Sequence, residues 1–139
     1  MRVVAPTLLS YEEGGHYVPH YDYLDVPPNP MDYDSWMRHL GNRMATLFLI
    51  LQRAAEGGGT IFPYLSLTVQ PEPGDAMLWF NMNVDGSRDD GTLHGGCPIR
   101  AGNKLAMTLW IREKGQELRV KCPRFPNQMR FDLTSLSLG

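Results

Sequence analysis

The sequence predicts a mostly β domain, a sandwich, barrel or jelly roll with little helix, and two observations carry that expectation. Fourteen glycines and eleven prolines cut the 139-residue chain into short segments. The apolar runs between them have strand length and are rich in Val, Ile, Thr or aromatic residues. The length suits one compact domain with one site. Thirteen Lys and Arg against fifteen Asp and Glu give a formal net charge of -2 with no basic run, so nothing points to nucleic acid or an anionic membrane as partner. No apolar stretch nears the roughly 20 residues that span a bilayer, and Met1 to Ser10 lack the features of a secretory signal.

In chain order, the expected strands are Arg2 to Ser10, Tyr17 to Leu24, Met44 to Leu51, Leu65 to Val69, Ala76 to Phe80, Leu93 to Ile99 and Leu105 to Glu113. Turn signals separate them, among them Glu56-Gly57-Gly58-Gly59, Pro71-Glu72-Pro73-Gly74 and Asp89-Asp90-Gly91. The irregular insertion is Val26 to Asn42, opened by Pro27-Pro28-Asn29-Pro30, with a short helix expected at Asp34 to Leu40. Long loops in small domains are often functional, and this one directly follows the segment with the most chemistry. Arg124 to Gly139 have no evident pairing partner and read as a tail, leaving 1–123 as the domain.

That segment is His20-Tyr21-Asp22. Side chains alternate across a strand, so His20 and Asp22 would share a face, and a later strand could bring His94 to them. Two imidazoles and a carboxylate on one side of an octahedral Fe(II) leave three positions open, enough for a bidentate cosubstrate and dioxygen. On spacing alone, surface strand residues and a loop histidine are an equal alternative. Lys104 favours the site. On a strand from Leu105 it shares a face with Ala106, Thr108 and Trp110, where a buried ammonium needs an anion such as a dicarboxylate; a solvated strand-end lysine is the alternative. Thr46 is the one polar residue on the face of Met44, Phe48 and Ile50, and its hydroxyl needs a partner if that face is buried. His16 stands at helical spacing from His20 and is left out. His39, Asp25, Asp32 and Asp34 read as solvated loop residues. Gly57 to Gly59 lack the Lys-Ser/Thr of a phosphate loop. Cys97 and Cys122 exclude a four-cysteine zinc site and permit one bridge.

The order of motifs is Tyr11 to Tyr23, Gly41-Asn42-Arg43-Met44-Ala45-Thr46, Gly57 to Pro63, Pro73-Gly74-Asp75-Ala76, His94-Gly95-Gly96-Cys97-Pro98, Gly102-Asn103-Lys104, Trp110 and Lys114-Gly115-Gln116-Glu117. In that order the chain resembles the catalytic domain of collagen-type prolyl 4-hydroxylases. The resemblance implies a double-stranded β-helix, Fe(II) at His20, Asp22 and His94, and 2-oxoglutarate chelating the iron with its far carboxylate at Lys104. It further implies that Tyr11 and Thr46 hydrogen-bond that carboxylate, that Trp110 lies near the cosubstrate and that Tyr17 lines the peptide groove.

The implied activity is hydroxylation of peptidyl proline at C4 in collagen-like or proline-rich chains, with dioxygen as cosubstrate, succinate and carbon dioxide as coproducts, and ascorbate as reductant. Such peptides are pre-extended and dock on aromatic grooves with little entropy loss. The endoplasmic reticulum lumen and a Cys97–Cys122 disulfide are implied in the same way. An iron-binding pseudoenzyme or peptide-binding module, or a cytosolic hydroxylase with another protein target, are the alternatives. Relatives carry helices ahead of the first motif, whereas ten residues precede Tyr11 here. Ala45, Leu47, Leu49 and Leu51, with Leu105, Met107, Leu109 and Ile111, are therefore expected to form an outward apolar face awaiting a partner subunit or a longer N-terminal region.

Overall fold

In the computed structural model, residues 5–114 are described. Ten strands form β1 (Thr7–Tyr11), β2 (Tyr17–His20), β3 (Arg43–Gln52), β4 (Glu56–Gly57), β5 (Thr60–Phe62), β6 (Leu67–Val69), β7 (Ala76–Phe80), β8 (His94–Gly96), β9 (Ile99–Ala101) and β10 (Lys104–Arg112). One antiparallel sheet runs β1-β10-β3-β7, a second runs β2-β8-β5-β6, and β4 pairs with β9. The two larger sheets face each other in the expected jelly roll, with Phe62 of the second packed edge-on to Trp79 of the first at 5.5 Å between ring centroids.

The long strands β3 and β10 are the spine, because both alternate apolar residues over nine or ten positions and pair along almost their whole length. Their inward residues Phe48, Ile50 and Ala106 form the buried core with Leu9, Met77 and Trp79 against it. Burying a side chain such as Ile50 contributes roughly 1.5–3 kcal/mol. Thr46 and Lys104 point inward with that set, as expected, and both are buried. Ala45 was expected on the exposed outer face, yet it is only 1% accessible.

Several boundaries differ from expectation for local reasons. The second strand stops at His20, after a register irregularity against β8, so Asp22 lies on a bend and not in the ladder. The expected strand Leu93 to Ile99 is two strands, because Pro98 has no N–H to continue a ladder. Residues Pro63–Leu65 form a 3-10 turn ended by Ser66 at φ 50°, so that strand begins only at Leu67. The strands Glu56–Gly57 and Thr60–Phe62 were not expected; each is too short to show an alternation. Gly57 belongs to that tight run at φ 78°, where a Cβ would fall 2.2 Å from the Pro98 carbonyl oxygen. The short helix in the insertion is α1 (Ser35–Leu40), capped by Asp34, whose carboxylate accepts the Met37 N–H at 2.7 Å. Cys122, Lys114-Gly115-Gln116-Glu117 beyond Lys114, and the tail from Arg124 lie outside the described residues.

Candidate metal centre

His20 ends β2, and His94 opens β8 directly opposite it in the antiparallel register. The two imidazole rings therefore sit 4.4 Å apart between centroids. Asp22 follows on the bend, its carboxylate turned between them: Oδ2 is 3.7 Å from His94 Nε2, and Oδ1 is 3.9 Å from His20 Nε2. One ligand atom from each of the three residues lies within 4.8 Å of the others. The expected trio thus comes together, although Asp22 reaches it from a bend and not by strand alternation.

The protonation pattern suits a metal. His20 Nδ1 lies 2.9 Å from the Val18 carbonyl and His94 Nδ1 lies 2.9 Å from the Thr92 carbonyl. A carbonyl only accepts, so each Nδ1 carries a hydrogen, which in the neutral ring leaves the Nε2 lone pair on the side of Asp22. Burial also pushes the His94 imidazole below its ordinary value, with the Thr92 contact opposing, which keeps it neutral at pH 7. Two imidazoles and a carboxylate are a donor set for Fe(II). Asp22 itself is 4% exposed and takes the Thr46 hydroxyl hydrogen on Oδ2 at 2.7 Å.

The same pocket, about 360 Å³, runs from this cluster to Lys104 and is walled by both sheets. That volume is in the range of small-molecule sites. Lys104 is 6% exposed and its Nζ donates to the Gly58 carbonyl at 2.6 Å. No carboxylate pairs with it among the described residues, and burial lowers its pKa. Tyr11 is its cross-strand partner and lines the same wall; burial raises the phenol pKa, with Tyr17 adding to the shift. Trp110 also lines the pocket, with the Arg43 guanidinium 3.6 Å over its ring. The indole N–H groups of Trp110 and Trp79 are buried with no partner among the described residues. A buried ammonium with no carboxylate partner among the described residues makes the Lys104 end of the pocket a complement to a carboxylate.

Thr46 departs from its expected role. Its one hydroxyl hydrogen is given to Asp22 and its oxygen accepts Asn81 Nδ2 at 2.9 Å, so it serves the ligand carboxylate and not the Lys104 end. Thr60, which sequence reasoning passed over, is 5% exposed and lines the pocket just beyond the three glycines. Its strand of three residues gave no periodic signal. Arg43 was likewise missed: half-buried, it stacks on Trp110 with Nη1 3.9 Å from Asp22 Oδ1. Tyr17 stands at the mouth, 48% exposed, its ring centroid 4.1 Å from that of His20. His16 borders the pocket but is not in the ligand cluster. Cys97 is half-buried on the same wall.

A family model described as 2OG-Fe(II) oxygenase superfamily matches residues 6–112. The chain is similar to prolyl 4-hydroxylase subunit alpha-3 of Rattus norvegicus, 39% identical over 119 residues, covering 86% of this chain and 21% of that protein. To subunit alpha-1 of Homo sapiens it is 36% identical over 115 residues, covering 81% and 21% respectively. It therefore spans about a fifth of the length of the curated relatives it matches. The solved structure of a viral collagen prolyl hydroxylase from Paramecium Bursaria Chlorella virus-1, as its 2OG complex, is similar at a TM-score of 0.68 and 30% identity, covering 80% of this chain and 59% of that one. A Pseudomonas putida prolyl-4-hydroxylase, at a TM-score of 0.53 and 19% identity over 78% of this chain and 51% of that one, shares the fold.

Proposed function

Because the chain belongs to the 2OG-Fe(II) oxygenase superfamily, we propose that it is a prolyl 4-hydroxylase acting on collagen-like or proline-rich peptides, with His20, Asp22 and His94 holding Fe(II). The observation that carries this reading is the placement in one pocket of that trio and of Lys104, which has no carboxylate partner among the described residues. The similarity to prolyl 4-hydroxylase alpha subunits supports the substrate class. When bound, the metal and cosubstrate supply an oxidant made from dioxygen as 2-oxoglutarate becomes succinate and carbon dioxide.

This chain's own residues bind, orient and exclude. Lys104 neutralises the far carboxylate of 2-oxoglutarate, and Tyr11, its neighbour across the strands, donates to the same group. The Thr60 hydroxyl is a further polar group lining the same pocket, while Trp110 lies at its other end, beside Arg43 and Asp22. Tyr17 and the open mouth beside His20 accept the proline-containing chain. The core side chains Phe48 and Trp79 keep water from the inner wall of the pocket. Ascorbate, which keeps the iron ferrous, an oxidising lumen such as the endoplasmic reticulum and a Cys97–Cys122 bridge complete the proposal; these rest on the sequence resemblance.

Succinate release with Fe(II), 2-oxoglutarate and ascorbate, measured with and without a proline-rich peptide, tests it. Peptide-stimulated succinate is expected. Succinate at the same rate with and without peptide would contradict the substrate class, and none under either condition would leave only a binding module.

A further inference from the structure

We propose that Thr46 and Asn81 form a buried relay that positions the Asp22 carboxylate for the metal. The inference rests on the reading of His20, Asp22 and His94 as ligands. Both relay residues are 0% exposed. Asn81 Nδ2 donates to Thr46 Oγ1 at 2.9 Å, and Thr46 Oγ1 donates to Asp22 Oδ2 at 2.7 Å. The direction follows from the groups. An ionised carboxylate only accepts, so the single hydroxyl hydrogen goes to Asp22, and Asn81 must turn its NH₂ toward the hydroxyl.

The relay supplies what the sheet does not. Asp22 lies two residues past the end of β2, so no ladder fixes it. Thr46 is in the middle of β3, and Asn81 is anchored through its backbone, its N–H to the Met44 carbonyl at 2.8 Å and its carbonyl accepting the Asp89 N–H at 3.1 Å. The first sheet thereby reaches across to hold a ligand that hangs from the second. With Oδ2 engaged, Oδ1 has no hydrogen bond among the described residues, and the Arg43 guanidinium waits 3.9 Å from it. Without the Thr46 hydroxyl the carboxylate is free to rotate toward Arg43, and the metal loses a preset ligand. Thr46 and Asn81 are positioning residues; neither needs to touch the metal.

The test uses Co(II) titration of the full chain, read by the visible spectrum of the bound ion, in parent, Asp22→Ala, Thr46→Val, Thr46→Ser and Asn81→Leu, with thermal unfolding of each metal-free protein as the check on folding. Thr46→Val keeps the side-chain shape and removes the donor, and its Co(II) affinity is expected to fall by about 10- to 100-fold. Thr46→Ser, which keeps the hydroxyl, is expected within about threefold of the parent. Should Thr46→Val not fold, Asn81→Leu carries the test, with a fall of at least about threefold as the hydroxyl is freed to rotate. Parental Co(II) affinity and spectrum in a folded Thr46→Val, or in Asn81→Leu when only that variant folds, with binding lost in Asp22→Ala, would overturn the relay alone. A parent chain with no saturable Co(II) binding would instead overturn the ligand reading, and the relay with it.

Discussion

Tyr11 and Lys104 stand directly opposite one another on antiparallel β1 and β10, so a phenol and a buried ammonium share one wall of the pocket. Cross-strand partners have Cβ atoms about 5 Å apart, close enough for both groups to bind one carboxylate. Tyr11→Phe removes a neutral donor worth about 0.5–1.5 kcal/mol. The expected result is a 2-oxoglutarate affinity weaker by about two- to tenfold, measured by calorimetry on the metal-loaded protein. Unchanged affinity would place the phenol outside the site.

Lys104 separates binding from stability. Its charged contact with 2-oxoglutarate is worth roughly 1.5–3 kcal/mol, so Lys104→Ala or Lys104→Met should lose about one to two decades of affinity. In the ligand-free protein the sign is opposite. Burial lowers its pKa below the ordinary 10.5, so between that lowered value and 10.5 the unfolded chain binds more protons than the folded one, and Lys104's contribution to stability rises with pH. Below that window the full cost of the buried charge is present. Lys104→Met should therefore melt higher than the parent at neutral pH, by a margin that shrinks as pH approaches 10.5. A lower melting point for Lys104→Met across the whole range would contradict this.

The outer face of the first sheet is apolar. Leu8, Met107, Leu49 and Ala76 form one cross-strand row, and Leu109, Leu47 and Leu78 form the next. Leu8 is 62% exposed, Leu78 43% and Leu51 41%. Contiguous exposed apolar area of this kind marks an interface. Light scattering at micromolar concentration should show association, and Leu8→Glu with Leu78→Lys should reduce it. A stable monomer that binds no apolar dye would refute the expectation.

Cys97 and Cys122 give a redox prediction. If they are bonded, the closed loop stabilises by roughly 3–4 kcal/mol on the chain-entropy model. Thiol titration of native protein made in an oxidising compartment should find none free; two free thiols would favour the cytosolic alternative.

The long strands were legible: β3 and β10 showed their faces in the sequence, and Lys104 falls on the inward face that its spacing from Ala106 and Thr108 suggested. The ligand trio was legible as residue types in order, but not its geometry. Asp22 was placed by strand alternation, whereas it depends on a turn off β2 and a hydroxyl 24 positions away. Thr46 was read correctly as a buried hydroxyl in need of a partner and assigned the wrong one, because a hydrogen bond across two sheets leaves no period in the chain. Thr60 and Asn81 were missed for the same reason. Each is one polar residue at the end of a short element, meaningful only once both sheets are folded together.

The most direct measurement is mass spectrometry of a proline-rich peptide after incubation with the protein, Fe(II), 2-oxoglutarate and dioxygen, for the parent and for His20→Ala, Asp22→Ala and His94→Ala. The parent should add one oxygen atom at C4 of proline, dependent on both metal and 2-oxoglutarate, and each variant should lose that product while staying folded, because two ligands no longer fix the geometry that leaves three positions open. Near-parental hydroxylation by any one of the three variants would contradict the assignment of the metal centre.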